Sequence, residues 1–110
     1  MEPEHRLLLI DDDLGFGESV TRYFQGVGLS VTVVTDGVTA ATVDIDRFAA
    51  VLLDIDMPGQ SGVDTLKTMR ARSTIPVVMV SGQSEEHWRV ESLMTGADFF
   101  MSKPISLREL

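Results

Sequence analysis

The sequence is dominated by short apolar segments, most of which end at a residue with a reactive side chain. These segments are residues 6–10 before Asp11 and Asp12, residues 49–53 before Asp54, residues 75–80 before Ser81, and residues 99–101 shortly before Lys103. Residues 30–35 form a further segment, which is rich in β-branched side chains. Short segments of nearly continuous apolar character are typical of strands that are buried on both faces of a parallel sheet.

Apolar residues at helical spacing fill the stretches between these strands. Phe16, Val20, Phe24 and Val27 share one face of a first predicted helix. Further helices are predicted over residues 38–44, 63–71 and 85–95, and a fifth begins at residues 106–110 with only its first turn present. Because strands and helices alternate, the sequence predicts an α/β fold in a single domain over residues 1–110. We expect a doubly wound, five-stranded parallel sheet with a truncated fifth helix.

Composition and charge exclude several classes of protein. The 110 residues include 17 acidic and 9 basic side chains, which give a formal net charge of −8, and they include no cysteine. The lack of cysteine excludes disulfides, thiolate metal centres and a cysteine nucleophile, and the acidic balance argues against direct nucleic-acid binding. The longest apolar run, residues 48–53, is too short to span a membrane, and no secretory signal precedes it. We therefore expect a cytoplasmic protein without a membrane partner.

Acidic residues concentrate at the predicted strand ends. Because the carboxyl ends of parallel strands meet at one edge of a sheet, we expect Asp11, Asp12, Asp54, Ser81 and Lys103 to converge there. Crowded carboxylates recruit a cation, and oxygen ligands favour Mg²⁺, with Mn²⁺ as an alternative. A metal ion, an ammonium and a hydroxyl suit the oxygens of a phosphoryl group, with an aspartate as the nucleophile. The residues themselves therefore predict Mg²⁺-dependent phosphorylation of an aspartate.

Five motifs, each at a strand end or in the following loop, resemble those of response-regulator receiver domains, the phosphoacceptor half of two-component signalling. They are Leu-Ile-Asp-Asp-Asp, Leu-Leu-Asp-Ile-Asp-Met-Pro-Gly, Val-Met-Val-Ser-Gly, Gly-Ala-Asp-Phe-Phe and Met-Ser-Lys-Pro. The resemblance covers residues 7–110 and implies the flavodoxin-like strand order 2-1-3-4-5. It also implies a histidine kinase or histidine phosphotransfer protein as the phosphoryl donor. Such a domain catalyses only its own phosphorylation and dephosphorylation, and it switches conformation to signal to a partner or effector domain.

The resemblance also assigns a role to each residue of the predicted site. It implies Asp54 as the phosphoacceptor, Asp12 as a direct Mg²⁺ ligand, Asp11 as a ligand through water, the backbone carbonyl of Asp56 as a further ligand, Ser81 and Lys103 as partners of the phosphoryl group, and Phe100 as the switch aromatic. The peptide bond between Lys103 and Pro104 is expected to be cis. Asp13 is expected to favour the start of the first helix rather than to bind the metal.

Two residues near the predicted site occupy positions at which receiver domains differ from one another. Asp56 is acidic where a neutral residue is common, and Gln83 occupies a variable position two residues after Ser81. Both are expected to border the path of the water that hydrolyses the phosphoaspartate. We therefore predict that Asp56 and Gln83 set the lifetime of the phosphoryl group.

Trp88 lies in the helix predicted over residues 85–95. We draw the core-facing stripe of this helix through Val90, Leu93 or Met94, and Ala97, which leaves Trp88 off the stripe. The tryptophan then either lies flat over the helix surface or anchors a partner on the face that receiver domains use for signalling.

A short fifth helix would expose apolar surface of the sheet, and formation of a homodimer is one expected consequence.

Two other functions compete with this interpretation. Val-Leu-Leu-Asp-Ile-Asp fits the nucleophile motif of haloacid-dehalogenase-type phosphatases, with Asp54 as the nucleophile and Asp56 as the acid/base. That motif normally lies on the first strand and is followed by Thr or Val, and the chain is short for such an enzyme. The other competitor is a receiver relic that binds protein without being phosphorylated.

Overall fold

Strands and helices alternate along the chain. The computed structural model describes residues 5–56, 61–82 and 86–103. The elements are β1 (Arg6–Ile10), α1 (Leu14–Gln25), β2 (Ser30–Val34), α2 (Gly37–Ala40), a 3₁₀ turn (Ile45–Arg47), β3 (Ala50–Asp54), α3 (Gly62–Arg70), β4 (Val77–Ser81), α4 (Glu86–Thr95) and β5 (Phe99–Ser102). Gln83, the peptide bond to Pro104 and the fifth helix expected at residues 106–110 lie outside the described residues.

The strands pair in parallel in the order β2-β1-β3-β4-β5, which confirms the predicted sheet. Ile10 of β1 lies between Val34 of β2 and Leu53 of β3, and Asp54 pairs with Val80 of β4. This register brings the carboxyl ends of the strands to one edge of the sheet. We call that edge the rim, and the residues that end or follow β1, β3, β4 and β5 lie there.

Both faces of the sheet are buried, because successive side chains of a strand point to opposite faces. On one face, Leu8 and Val51 pack with Leu66 of α3 in the larger core cluster. On the other face, Leu9 packs with Phe24 of α1 in a smaller cluster. Burial of one such side chain stabilises the fold by about 1.5–3 kcal/mol. The two clusters therefore hold the strand ends, and with them the rim, in a defined position.

The α3 helix begins in direct contact with the backbone at the end of β3. Gly62 donates its N–H to the carbonyl of Ile55 at 2.9 Å. A Cβ at Gly62 would lie 2.7 Å from the Cα of Ile55 and 2.8 Å from the carbonyl carbon of Asp54. Only glycine fits this approach, which fixes α3 beside the rim.

The carboxyl end of α3 holds the turn that leads into β5. Arg70 donates from Nε to the carbonyl of Gly96 at 2.8 Å and from Nη2 to Asp98 at 3.2 Å. The same carboxylate accepts the backbone N–H of Val77 at 2.8 Å. Gly96 has a φ of +124°, which favours glycine. These contacts fix the start of β5 and thereby contribute to the placement of Lys103 beyond its end.

The predicted length of the helix over residues 38–44 is wrong. The observed α2 covers only Gly37–Ala40, and a 3₁₀ turn follows at Ile45–Arg47. Asp36 caps the start of α2, but Thr42 and Val43 are β-branched and lose side-chain freedom in a helix. The other predicted helices within the described residues, and all five strands, end within two residues of their predicted bounds.

The core-facing stripe drawn for α4 is wrong at Val90, Leu93 and Met94, whereas Ala97 is buried in the larger core cluster as predicted. Val90 is 43% exposed and Leu93 is 38% exposed, whereas Ser92 is fully buried. Trp88 is partly buried and packs against the larger core cluster. The helix has apolar residues on both faces. The face with Trp88 and the small, buried Ser92 packs against the sheet, and the face with Val90 and Leu93 is exposed. The role of Trp88 as a partner anchor stays a prediction.

No helix among the described residues is both long enough and apolar enough to cross a membrane.

The contact at Gly62 can be tested by comparing two glycine substitutions. We expect Gly62→Ala to lower the free energy of unfolding by about 1–3 kcal/mol, because the backbone at Asp54 and Ile55 must shift to admit the methyl group. Gly15→Ala in α1 is the control, since its Cβ meets only an ordinary contact of 3.5 Å with Asp13. That change is expected to leave stability unchanged or to raise it by up to about 1 kcal/mol. Urea unfolding of both variants measures the difference, and equal effects would contradict the packing described for α3.

Candidate functional site

Three carboxylates meet at the rim. Asp11 and Asp12 follow β1, and Asp54 ends β3. Each contributes one oxygen to a group whose members lie within 4.8 Å of one another. Asp11 is fully buried and Asp54 is 3% exposed, whereas Asp12 is open to solvent. Two buried carboxylates and one exposed carboxylate fit a hard divalent cation that keeps part of its water shell.

Lys103 is the positive group of the site, and it lies closer to Asp11 than to Asp54. Its Nζ is 2.8 Å from Asp11 Oδ2, 3.8 Å from Asp13 Oδ2 and 4.0 Å from Asp54 Oδ1. The backbone N–H of Lys103 donates to the carbonyl of Ser81 at 2.7 Å, which ties the end of β5 to the end of β4. The structure thus brings Lys103 and the three carboxylates together, as the strand ends predicted.

The surroundings change the proton affinity of both Asp54 and Lys103. Burial and the negative charge of Asp11 raise the pKa of Asp54 to about 7, although Lys103 and a backbone hydrogen bond at Asp56 oppose the shift. Burial lowers the pKa of Lys103, but the hydrogen bond and charge of Asp11, with the charges of Asp54 and Asp13, raise it by more. The ammonium therefore stays charged at neutral pH, while the buried carboxylate of Asp54 is only partly ionised.

Asp13 begins α1 and orients the neighbouring groups. Its side chain accepts the N–H of Phe16 at 3.0 Å, and its own N–H donates to Asp11 Oδ1 at 2.9 Å. The expected role at the start of the helix is thereby confirmed. The other oxygen of Asp13 faces Lys103, a contact that the sequence analysis did not foresee. The clustering of three consecutive aspartates was the available signal for it.

Ser81 and Asp56 are joined across the rim. Ser81 is fully buried at the end of β4, and its hydroxyl donates to Asp56 Oδ2 at 3.4 Å. Asp56 follows β3 and is exposed to solvent. The side chain of Asp56 therefore lies at the rim beside Ser81, and the role of its backbone carbonyl as a metal ligand stays a prediction. The sequence could not indicate this contact. Asp56 lies two residues beyond the end of β3, where the regular alternation of side chains along a strand no longer applies.

Phe100 lies on β5, where it pairs with Met79 of β4. Its ring is partly buried and packs against the larger core cluster, whereas the ring of Phe99 is 67% exposed. The switch role assigned to Phe100 stays a prediction. Phe16, which the sequence pattern placed only on the core face of α1, has its ring centroid 4.7 Å from Lys103 Nζ. No pattern in the sequence indicated that contact, because it joins residues far apart in the chain.

The raised pKa of Asp54 predicts how stability depends on pH. Between about pH 4 and pH 7 the folded state holds a proton that the unfolded state releases, so the free energy of unfolding falls as pH rises. Asp54→Asn removes this titration. In the absence of divalent metal, we expect the variant to be more stable than the parent by about 1–3 kcal/mol at pH 8 and by much less at pH 4.

Denaturant unfolding across this pH range, with a chelator present, measures the effect. Asp44→Asn is the matched control, because Asp44 is an exposed surface residue away from the rim. A stabilisation by Asp54→Asn that is the same at every pH would contradict the prediction.

The sequence of this chain matches that of known proteins. The sequence model of the response regulator receiver domain matches residues 7–110. The sensory transduction protein RegX3 of Mycobacterium tuberculosis is 42% identical over 106 residues, which cover 94% of this chain and 46% of RegX3. The DNA-binding response regulator MtrA of Mycobacterium leprae is 36% identical over 106 residues, covering 96% of this chain and 47% of MtrA. The chain thus spans about half the length of these curated relatives.

Solved structures agree with the sequence relatives. The receiver domain of the TMAO respiratory system response regulator TorR superposes with a TM-score of 0.87 and 29% identity, covering 96% of this chain and 88% of that one. The receiver domain of the Francisella response regulator 1452 gives a TM-score of 0.85 and 27% identity, covering 96% and 89% of the two chains.

The family match excludes the phosphatase interpretation, and the position of Asp54 agrees with that exclusion, since it ends the third strand rather than the first. The chain belongs to the response regulator receiver domain family, the phosphoacceptor domains of two-component signalling.

Proposed function

We propose that this domain accepts a phosphoryl group onto Asp54 from the phosphohistidine of a histidine kinase or of a histidine phosphotransfer protein. The observation that carries the proposal is the convergence of a buried carboxylate, an ammonium and a hydroxyl at the rim. Asp54, Lys103 and Ser81 come from the ends of three strands. Together these groups match the needs of a phosphoryl group in transfer, which are a nucleophile, a positive charge and a hydrogen-bond donor.

Asp11, Asp12 and Asp54 would hold the metal, which we take to be Mg²⁺, with Mn²⁺ as an alternative. Their mutual distances and the exposure of Asp12 support an ion that retains several waters. We assign Asp12 as a direct ligand, Asp11 as a ligand through water, and the backbone carbonyl of Asp56 as the further protein ligand. When bound, the metal offsets the negative charge of the carboxylates and of the phosphoryl oxygens.

Phosphoryl transfer needs an ionised oxygen of Asp54. That oxygen forms a bond to phosphorus as the bond between phosphorus and the histidine nitrogen breaks, and the imidazole keeps the electron pair of the broken bond. Lys103 lies 4.0 Å from Asp54, close enough for a small side-chain movement to pair it with a phosphoryl oxygen. The hydroxyl of Ser81 supplies a donor from the neighbouring strand end.

Phosphorylation then signals by shifting the balance between two conformations. Ser81 exchanges its contact with Asp56 for one with the phosphoryl group, and Phe100 responds on the adjacent strand. The domain catalyses its own modification and has no separate substrate. Its output passes to a partner or effector domain, with the α4 surface near Trp88 as the proposed contact.

The phosphoacceptor is tested with small donors in place of a kinase. Incubation with acetyl phosphate and Mg²⁺ should add one phosphoryl group to the chain, and beryllofluoride should form a stable adduct. Asp54→Asn should abolish both, because the amide oxygen is a poor nucleophile, whereas the surface variant Asp44→Asn should retain both. Intact-mass spectrometry reads the phosphoryl adduct, and fluorine NMR reads the beryllofluoride adduct. Absence of any adduct on the parent chain would favour the protein-binding relic.

The lifetime of the phosphoryl group is predicted to depend on Asp56. Its carboxylate lies beside Ser81 at the solvent side of the rim, where it can orient and deprotonate the attacking water. We expect Asp56→Asn to slow dephosphorylation by at least about twofold, since the amide cannot accept a proton. Decay of the phosphorylated chain in the presence of Mg²⁺ gives the rate constant. Asp64→Asn, at an exposed position of α3, is the control. An unchanged decay rate in the Asp56 variant would refute the assignment.

A further inference from the structure

The ammonium group of Lys103 is held by an aromatic ring as well as by carboxylates. The ring centroid of Phe16 lies 4.7 Å from Nζ, within the range of a cation–π contact. Asp11 Oδ2 lies at 2.8 Å and Asp13 Oδ2 at 3.8 Å. Phe16 lies in the first turn of α1 and Asp13 caps that turn, so the start of this helix supplies two of the groups that surround the lysine.

The ring of Phe16 is fixed in this position. Its backbone N–H is bound by the side chain of Asp13, which begins the helix. The ring is partly buried and packs against the smaller core cluster, which includes Leu9, Val20 and Phe24. Phe16 therefore offers Lys103 an aromatic surface that core packing holds in place. The ammonium of Lys103 lies within 4.0 Å of three carboxylates, those of Asp11, Asp13 and Asp54.

The metal and the lysine require the same carboxylate. Asp11 Oδ1 accepts the N–H of Asp13, so Oδ2 is its more available oxygen. Lys103 occupies that oxygen at 2.8 Å. Asp11 is also a member of the acidic group that fits a divalent cation. A cation that binds there must compete with the ammonium for one buried carboxylate.

We propose that Phe16 is a positioning residue, which stabilises Lys103 against Asp11 and thereby weakens the binding of Mg²⁺ until the lysine is released toward Asp54. This inference rests on the proposed function of the rim. Removal of the ring removes the cation–π contribution while leaving the carboxylates in place. The ammonium then competes less well, and Mg²⁺ binds more tightly.

The experiment compares Phe16→Leu, Phe16→Tyr and Tyr23→Leu with the parent 110-residue chain. Phe16→Leu removes the ring beside Lys103, Phe16→Tyr keeps a ring there, and Tyr23→Leu removes an exposed ring elsewhere on α1. Two readouts are taken without any phosphoryl donor. Isothermal titration with Mg²⁺ gives the dissociation constant, and NMR gives the chemical shift of the Lys103 ε-methylene protons, which the ring current moves upfield.

We expect Phe16→Leu to lower the Mg²⁺ dissociation constant by about two- to fivefold, the change that loss of a cation–π contact of ordinary strength would produce. The same substitution should abolish the upfield shift of the Lys103 ε-methylene protons. Phe16→Tyr should preserve both values, and Tyr23→Leu should change neither. The inference is overturned if Phe16→Leu changes only one of the two readouts, if it changes neither, or if Tyr23→Leu tightens Mg²⁺ equally. Neither readout needs phosphorylation of Asp54, so a failure of the proposed function would be seen separately.

Discussion

The repulsion among carboxylates at the rim is the constraint around which this domain is organised. Asp11 and Asp54 are buried next to each other, and their burial raises the pKa of Asp54 to about 7. Lys103 offsets this charge from the end of β5, and it does so mainly through Asp11. The sheet tolerates the acidic group because Lys103 supplies an opposing charge and the backbone N–H of Asp13 donates a hydrogen bond to Asp11. An acidic group of this kind fits the oxygen ligands that a hard divalent cation prefers.

The helices contribute to the site as well as covering the sheet. The start of α1 contributes Phe16 and the capping residue Asp13, which flank Lys103, while α3 begins at Gly62 in contact with the end of β3. Arg70, at the other end of α3, holds the turn before β5. The geometry of the rim is therefore distributed over much of the chain, and the substitutions that alter it need not touch a carboxylate.

The parallel sheet and the membership of the rim could be predicted from the apolar strands that end at Asp11, Asp54 and Ser81, and the strand order followed from the resemblance to receiver domains. The contacts that each side chain makes at the rim could not be predicted. Lys103 was expected to pair with a phosphoryl group on Asp54, and in the structure its ammonium lies closer to Asp11 than to Asp54, which depends on side-chain conformation rather than on spacing. The buried face of α4 was misjudged because apolar residues occur on both of its faces, and only packing selects between them.

The close approach at Gly62 has a mechanical consequence. There is no space for even one methyl group between the start of α3 and the backbone of Asp54 and Ile55. A shift of the backbone at Asp54 would therefore press directly on the first turn of α3, with no side chain between them to adjust. The α4 helix, by contrast, meets the core through side chains, the small Ser92 and the partly buried Trp88.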